Sequence, residues 1–130
     1  FAPNELAIRI DDCKPKVVLT ASSGIEIDRL IAYKPMVDEA LVQAEHKPEK
    51  VVVLNRKLGA RVPFKTYDVD YHALVYGSEP VECVAVDSSH PSYVLYTSGT
   101  TGKPKGIVRD TAGYAVALQF SMQNIYGVTP

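Results

Sequence analysis

Tyr93-Val-Leu-Tyr-Thr-Ser-Gly-Thr-Thr-Gly-Lys-Pro-Lys-Gly-Ile-Val-Arg109 is the stretch on which the reading of this chain turns. Tyr93 to Tyr96 form a short apolar and aromatic run of strand type, followed at once by a segment rich in hydroxyls, glycine and lysine. The expectation is a strand that delivers a flexible loop. Gly99, Gly102 and Gly106 open backbone angles closed to other residues and let main-chain N–H groups approach a ligand. Thr97, Ser98, Thr100 and Thr101 add hydroxyl donors, and Lys103 and Lys105 add ammonium groups, with Pro104 restricting the backbone between them. Such a surface is complementary to phosphate oxygens. An idle surface turn needs only Gly, Asn or Asp and has no use for lysines on both sides of a proline.

Two better-known phosphate-binding patterns fail. A P-loop requires four residues between its first glycine and a Gly-Lys-Ser/Thr end; counting from Gly99 lands on Pro104, and counting from Gly102 lands on Ile107. A dinucleotide-binding Gly-x-Gly-x-x-Gly is absent, because no two glycines in the chain are separated by a single residue.

Tyr96 to Gly106 instead resembles, at every fixed position, the phosphate loop of the adenylate-forming superfamily, which includes acyl-CoA synthetases, peptide-synthetase adenylation domains and luciferases. The resemblance implies phosphate contacts from Thr97, Ser98, Gly99, Thr100, Thr101 and Gly102, with Lys105 as the fixed cation. Lys103 falls at the family's variable position.

Composition narrows the alternatives. The chain has 130 residues, 14 basic against 15 acidic, and a net charge of -1. That is single-domain size, with no electrostatic footprint for nucleic acid or an anionic membrane, so the expected partners are small molecules. No apolar run approaches the roughly 20 residues of a membrane span. The first residues lack the basic and apolar regions of a signal peptide, and the missing initiator Met suggests a start internal to a longer chain. Cys13 and Cys83 lie far apart with no clustered His, which reads as two buried free thiols in an intracellular protein and not as a metal site or disulfide framework.

Along the chain, Pro3 opens a helix with Leu6, Ala7, Ile10 and Cys13 at helical spacing, and Pro15 stops it. Asp11 and Asp12 read as a solvated face or as partners of Lys14 and Lys16. Val17 to Ala21 reads as a buried strand, and Ile25 to Tyr33 fits neither period. Pro35 opens a second helix that Pro48 ends, and Val51 to Leu54 follows as another apolar strand, suggesting a parallel βαβ unit. The basic segment from Asn55 to Tyr67 reads as a solvated surface loop, Val69 to Tyr76 as a short helix, and Pro80 to Val86 as a strand. His46, His72 and His90 read as surface or packing residues. Asp110 caps a last helix whose Tyr114, Ala117, Leu118, Ser121, Met122 and Ile125 form one stripe, expected to be well buried. The fold class is α/β, with residues 1–130 as a single unit.

The resemblance extends beyond the loop. Glu5 to Asp12, Pro15 to Thr20, Ile31 to Lys34 and Asp38 to Leu41 look like successive pieces of short-chain acyl-CoA synthetases. Arg109-Asp-Thr-Ala-Gly-Tyr-Ala-Val-Ala-Leu118 is most similar to the propionate-activating branch, although Ala112 departs from that branch's Gly-Gly pair. The resemblance implies a partial sheet with flanking helices, part of the large N-terminal domain of an enzyme that joins a carboxylate to ATP and passes the acyl group to coenzyme A. ATP, Mg²⁺ and coenzyme A are the implied cofactors, and a cytoplasmic or mitochondrial location follows. The family's adenine pocket, magnesium-binding acid, most of its acyl pocket and its adenylation lysine lie past the point matching Pro130. No catalytic residue and no metal ligand is therefore expected within the chain, which alone would be inactive. Two other readings stand beside this one: a stand-alone phosphate-binding module, and an adenylation domain for a different carboxylic acid.

Overall fold

A computed structural model describes residues 2–59, 62–98 and 104–128. Its helices and strands fall into two compact units, Phe1–Pro80 and Val81–Pro130. The α/β expectation holds in both.

In the first unit, α1 (Pro3–Cys13) carries Pro3 in its first turn, where the missing N–H removes no helical bond. It ends at Lys14, which takes a left-handed φ of 45° as a helix C-cap, and the following Pro15 cannot continue the helix. The Lys14 N–H donates to Ile10 O at 2.9 Å. Asp11 is not a partner of Lys14 or Lys16: its Oδ1 accepts the backbone N–H of His46 at 2.8 Å. That hydrogen bond holds the Asp11 carboxyl below its ordinary range. The His46 ring Nε2 meets Pro15 O at 2.9 Å, so His46 packs the ends of two helices together.

The βαβ unit forms as its apolar runs require. β1 (Val17–Ala21) pairs in parallel with β4 (Lys50–Leu54), and α2 (Tyr33–Gln43) lies between them in sequence. β4 also pairs in parallel with β5 (Asp68–Asp70), giving the order β1-β4-β5. Central β4 presents Val51 and Val53, both fully buried, to Ala7 and Ile10 of α1 and to Val37, Ala40 and Leu41 of α2. Parallel strands joined by a helix bury their faces, which is why β4 reads as a continuous run of valines.

The segment that fits neither period is a hairpin, β2 (Ser23–Glu26) with β3 (Arg29–Ala32), closed by Ile27 and Asp28. Ile27 adopts φ 56°, an unusual conformation for a β-branched residue, and its side chain is 91% exposed. Gly24 is covered by the Tyr33 ring, and a methyl group there would lie 2.7 Å from Tyr33 Cε2.

A buried ionic cluster joins α2 to β5. Lys34 is 1% exposed, and its Nζ lies 2.5 Å from Asp38 Oδ1 and 2.9 Å from Asp68 Oδ2. Tyr67 donates its hydroxyl to Asp38 Oδ1 at 3.0 Å, and Lys65 stands 3.6 Å from Asp38 Oδ2. Burial alone would lower the Lys34 pKa, but hydrogen bonds and charge from both carboxylates more than offset it and leave it raised. Burial, and then the Asp38 hydrogen bond and charge, push the Tyr67 phenol up to about 12.

Other expectations are corrected. Val69 to Tyr76 is not one helix but β5 followed by α3 (Tyr71–Val75), with Asp70 accepting from Ala73 N at 2.9 Å as the helix cap. Pro80 to Val86 forms no strand, because its alternation has no partner strand beside it. Cys13 and Cys83 are exposed: Cys13 falls on the outer side of the last turn of α1, and Cys83 in that irregular segment.

In the second unit, β6 (Pro91–Ser98) and β7 (Pro104–Asp110) form an antiparallel pair, and α4 (Thr111–Asn124) follows. No residue of α4 is buried, contrary to the expectation. Val116 is 67% and Phe120 63% exposed.

The ionic cluster gives two expected outcomes for the intact protein. Lys34→Met strands buried carboxylates and should lower stability by about 3–5 kcal/mol in urea denaturation, a loss that Lys34→Met with Asp68→Leu should partly restore. Lys34 and Tyr67 both hold their protons more tightly when folded, so each contribution is lost as pH rises; that of Tyr67 is complete well below pH 10 and is lost as pH rises through about 12. Urea midpoints from pH 8 to 11 should therefore fall less steeply for Tyr67→Phe than for the unmodified protein.

Candidate functional site

The sequence that suggests phosphate binding sits across the β6–β7 hairpin. Gly99, Thr100, Thr101 and Gly102 lie outside the described residues, as does Lys103. What the structure places is the pair of arms on either side of them. Thr97 of β6 is directly opposite Lys105 of β7, and Ser98 is opposite Pro104. Opposed residues in an antiparallel pair project to the same face with Cβ atoms about 4.5–5.5 Å apart. Thr97 and Lys105 are thus set opposite one another from positions eight apart in the chain, and both residues are exposed.

The sequence reading assigned a strand only before the loop. The returning strand β7 was hidden by Pro104 and Gly106, residue types that are rare inside strands. Pro104 is tolerated because it is the first residue of β7. Gly106 faces Tyr96 across the pair, and a methyl group on Gly106 would come within 3.0 Å of Val94 Cγ1 and 3.2 Å of Tyr96 Cε1. This strand glycine therefore leaves room for the Tyr96 ring.

The base of the hairpin is tied to the helix that follows. Tyr93 packs edge-on against Tyr114 of α4, with ring centroids 4.9 Å apart at 76°. A hydrogen bond with Tyr114 raises the Tyr93 pKa, with desolvation adding to the shift and the charge of Arg109, its cross-strand partner, opposing it. At the start of α4, the Thr111 N–H and hydroxyl both donate to His90 O at 2.9 Å, and Ala112 N donates to Ser88 O at 3.0 Å. Carbonyls of the preceding turn thus satisfy helix-initial donors. Asp110 occupies the N-cap position as expected but makes no side-chain cap bond; its carboxylate rests against Gly113, where a Cβ would meet Oδ1 at 2.6 Å.

Among the described residues no group of three or more His, Cys, Asp or Glu gathers to hold a metal ion, and no helix is long and apolar enough to cross a membrane. The described arms of the hairpin carry a hydroxyl on Thr97 and an exposed ammonium on Lys105, at opposed positions.

The family of AMP-binding enzymes matches residues 1–130. The mitochondrial acyl-CoA synthetase short-chain family member 3 of Bos taurus is 51% identical over 131 residues, covering 100% of this chain and 19% of that protein. Its counterpart in Homo sapiens is 50% identical, with the same coverage. The propionate–CoA ligase of Escherichia coli (strain K12) is 42% identical over 129 residues, covering 98% of this chain and 20% of that protein. The chain spans about a fifth of the length of these curated relatives. Matched over its whole length, the chain belongs to the family of AMP-binding enzymes.

Proposed function

We propose that the intact protein is an ATP-dependent short-chain acyl-CoA synthetase, and that this chain contributes its ATP phosphate-binding loop. In the first half-reaction a carboxylate oxygen attacks the α-phosphorus of ATP, giving an acyl-adenylate and releasing pyrophosphate. In the second, the thiol of coenzyme A attacks the acyl carbon and AMP leaves. The observation that carries the reading is the opposition of Thr97 and Lys105 at the mouth of a segment whose sequence is Ser98-Gly-Thr-Thr-Gly-Lys-Pro104.

The described residues fit a triphosphate tail. Negative charge builds on the departing pyrophosphate, and donors fixed before the reaction stabilise it without reorganising. Lys105 supplies a cation on a paired strand, and Thr97 supplies a hydroxyl on the same face. Ser98, Gly99, Thr100, Thr101 and Gly102 complete the proposed contacts. Mg²⁺, when bound with ATP, would neutralise further phosphate charge; no described residue is assigned to hold it.

Propionate is the proposed acid. Arg109-Asp110 after the loop supports this, as does the printed name of the Escherichia coli relative. The Phe1–Pro80 and Val81–Pro130 units are proposed to be consecutive pieces of one large AMP-binding domain, supported by an unbroken family match through both.

In the intact protein, Lys105→Ala should slow adenylate formation on the order of 10²-fold, the scale for removing one preorganised donor, and should slow thioester formation from supplied acyl-adenylate far less. Equal loss in both half-reactions would overturn the role given to Lys105. Carboxylate-dependent exchange of labelled pyrophosphate into ATP should be fastest with propionate among acetate, propionate and butyrate; a higher rate with another acid would reassign the substrate.

A further inference from the structure

The register that sets Thr97 across from Lys105 differs from the one with which the β6–β7 hairpin begins. At its base Pro91 pairs with Asp110, but the next paired residues are Tyr93 and Arg109, so β6 advances by two positions while β7 advances by one. Carried forward without that shift, the pairing would put Thr97 opposite Pro104 and Lys105 opposite Tyr96. Opposed residues share a face and neighbours along a strand alternate, so the lysine and the threonine lie on one face only because of the irregularity at the base. Such an irregularity disrupts the ladder locally, and regular pairing competes with it unless another contact holds the strands.

The first paired residue past the shift, Tyr93, is the one that α4 holds. Its ring packs edge-on against Tyr114 with centroids 4.9 Å apart, an arrangement that adds to the gain from burial. Its hydroxyl is hydrogen-bonded to Tyr114 and to Arg109 across the pair. Both tyrosines are half-buried. Tyr114 is itself fixed, because it stands in the first turn of a helix that starts where β7 ends. The first donors of that helix bond to His90 O and Ser88 O, just before β6 begins. α4 is therefore tied to both strands at their base, and Tyr114 sets where Tyr93 stands relative to β7.

We propose that Tyr114 is a positioning residue for Lys105: by holding Tyr93 just past the register shift, it fixes the pairing that puts the lysine on the same face as Thr97. The inference rests on the phosphate role given above to Lys105. Tyr114 acts through the strands and not on the reacting atoms.

The test measures both half-reactions in the intact protein and in its Tyr114→Ala, Tyr114→Phe, Lys105→Ala and Tyr114→Ala/Lys105→Ala variants. Tyr114→Ala should slow adenylate formation about tenfold or more, since a misplacement of about 1 Å costs up to about 10²-fold. It should slow thioester formation from supplied acyl-adenylate by less than about twofold. Tyr114→Phe keeps the ring contact and should recover most of the lost rate. In the Lys105→Ala background the Tyr114→Ala change should cost less than about twofold, because the group it positions is gone. Thioester formation also reports that each variant is folded; if Tyr114→Ala does not fold, Tyr114→Leu takes its place with the same expectations. An equal loss with and without Lys105, an equal loss in both half-reactions, or no recovery in Tyr114→Phe overturns the proposal. If Lys105→Ala itself leaves adenylate formation unchanged, the reading of the loop falls and this inference falls with it. If Lys105→Ala is slow and Tyr114→Ala is not, only this inference falls.

Discussion

The register of β6 against β7 is the constraint on which the candidate functional face of this chain depends. Backbone hydrogen bonds between the strands set Thr97 across from Lys105, and a slip of one residue would turn the lysine to the opposite face. Packing enforces the same register: Tyr96 and Val94 occupy the space that Gly106 leaves open, so sliding the strands would drive a side chain into that ring. The contact of Tyr93 with Tyr114 then anchors the base of the hairpin to α4. Strand pairing, a missing side chain and an aromatic contact thus converge on the placement of one cation.

The other unit is organised around a different balance. Its apolar core is small, built from β4 valines against alanines, valine, leucine and isoleucine of α1 and α2. Beside that core it buries a lysine with two aspartates. Such a cluster contributes less to net stability than an apolar substitute could, because desolvation opposes the Coulombic attraction. What it does supply is specificity of placement, joining the first turn of α2 to the start of β5 by a contact that tolerates little displacement.

Those differences explain which parts of the fold were legible in the sequence. Val17 to Ala21 and Val51 to Leu54 are continuous apolar runs separated by a helical pattern, and the parallel pair they imply is present. The β2–β3 hairpin was illegible because its turn is Ile27-Asp28, with no glycine or asparagine to announce the positive φ. Lys34 was unreadable as a core residue because the second of its carboxylate partners, Asp68, lies 34 positions away, beyond any local pattern. At the candidate site the residue types were legible and the strand pairing was not. The motif pointed to Thr97 and Lys105, and only the fold put them opposite one another.

Ser22 illustrates how much a single small residue can couple. Its N–H donates to Leu54 O, its carbonyl accepts from Tyr33 N and Lys34 N, and its hydroxyl accepts from Arg56 N. The end of one strand, the beginning of a helix and the loop beyond a neighbouring strand therefore share a single node. Any hinge motion at this rim would have to break several bonds together, so the rim behaves as a stiff platform and not as a flap.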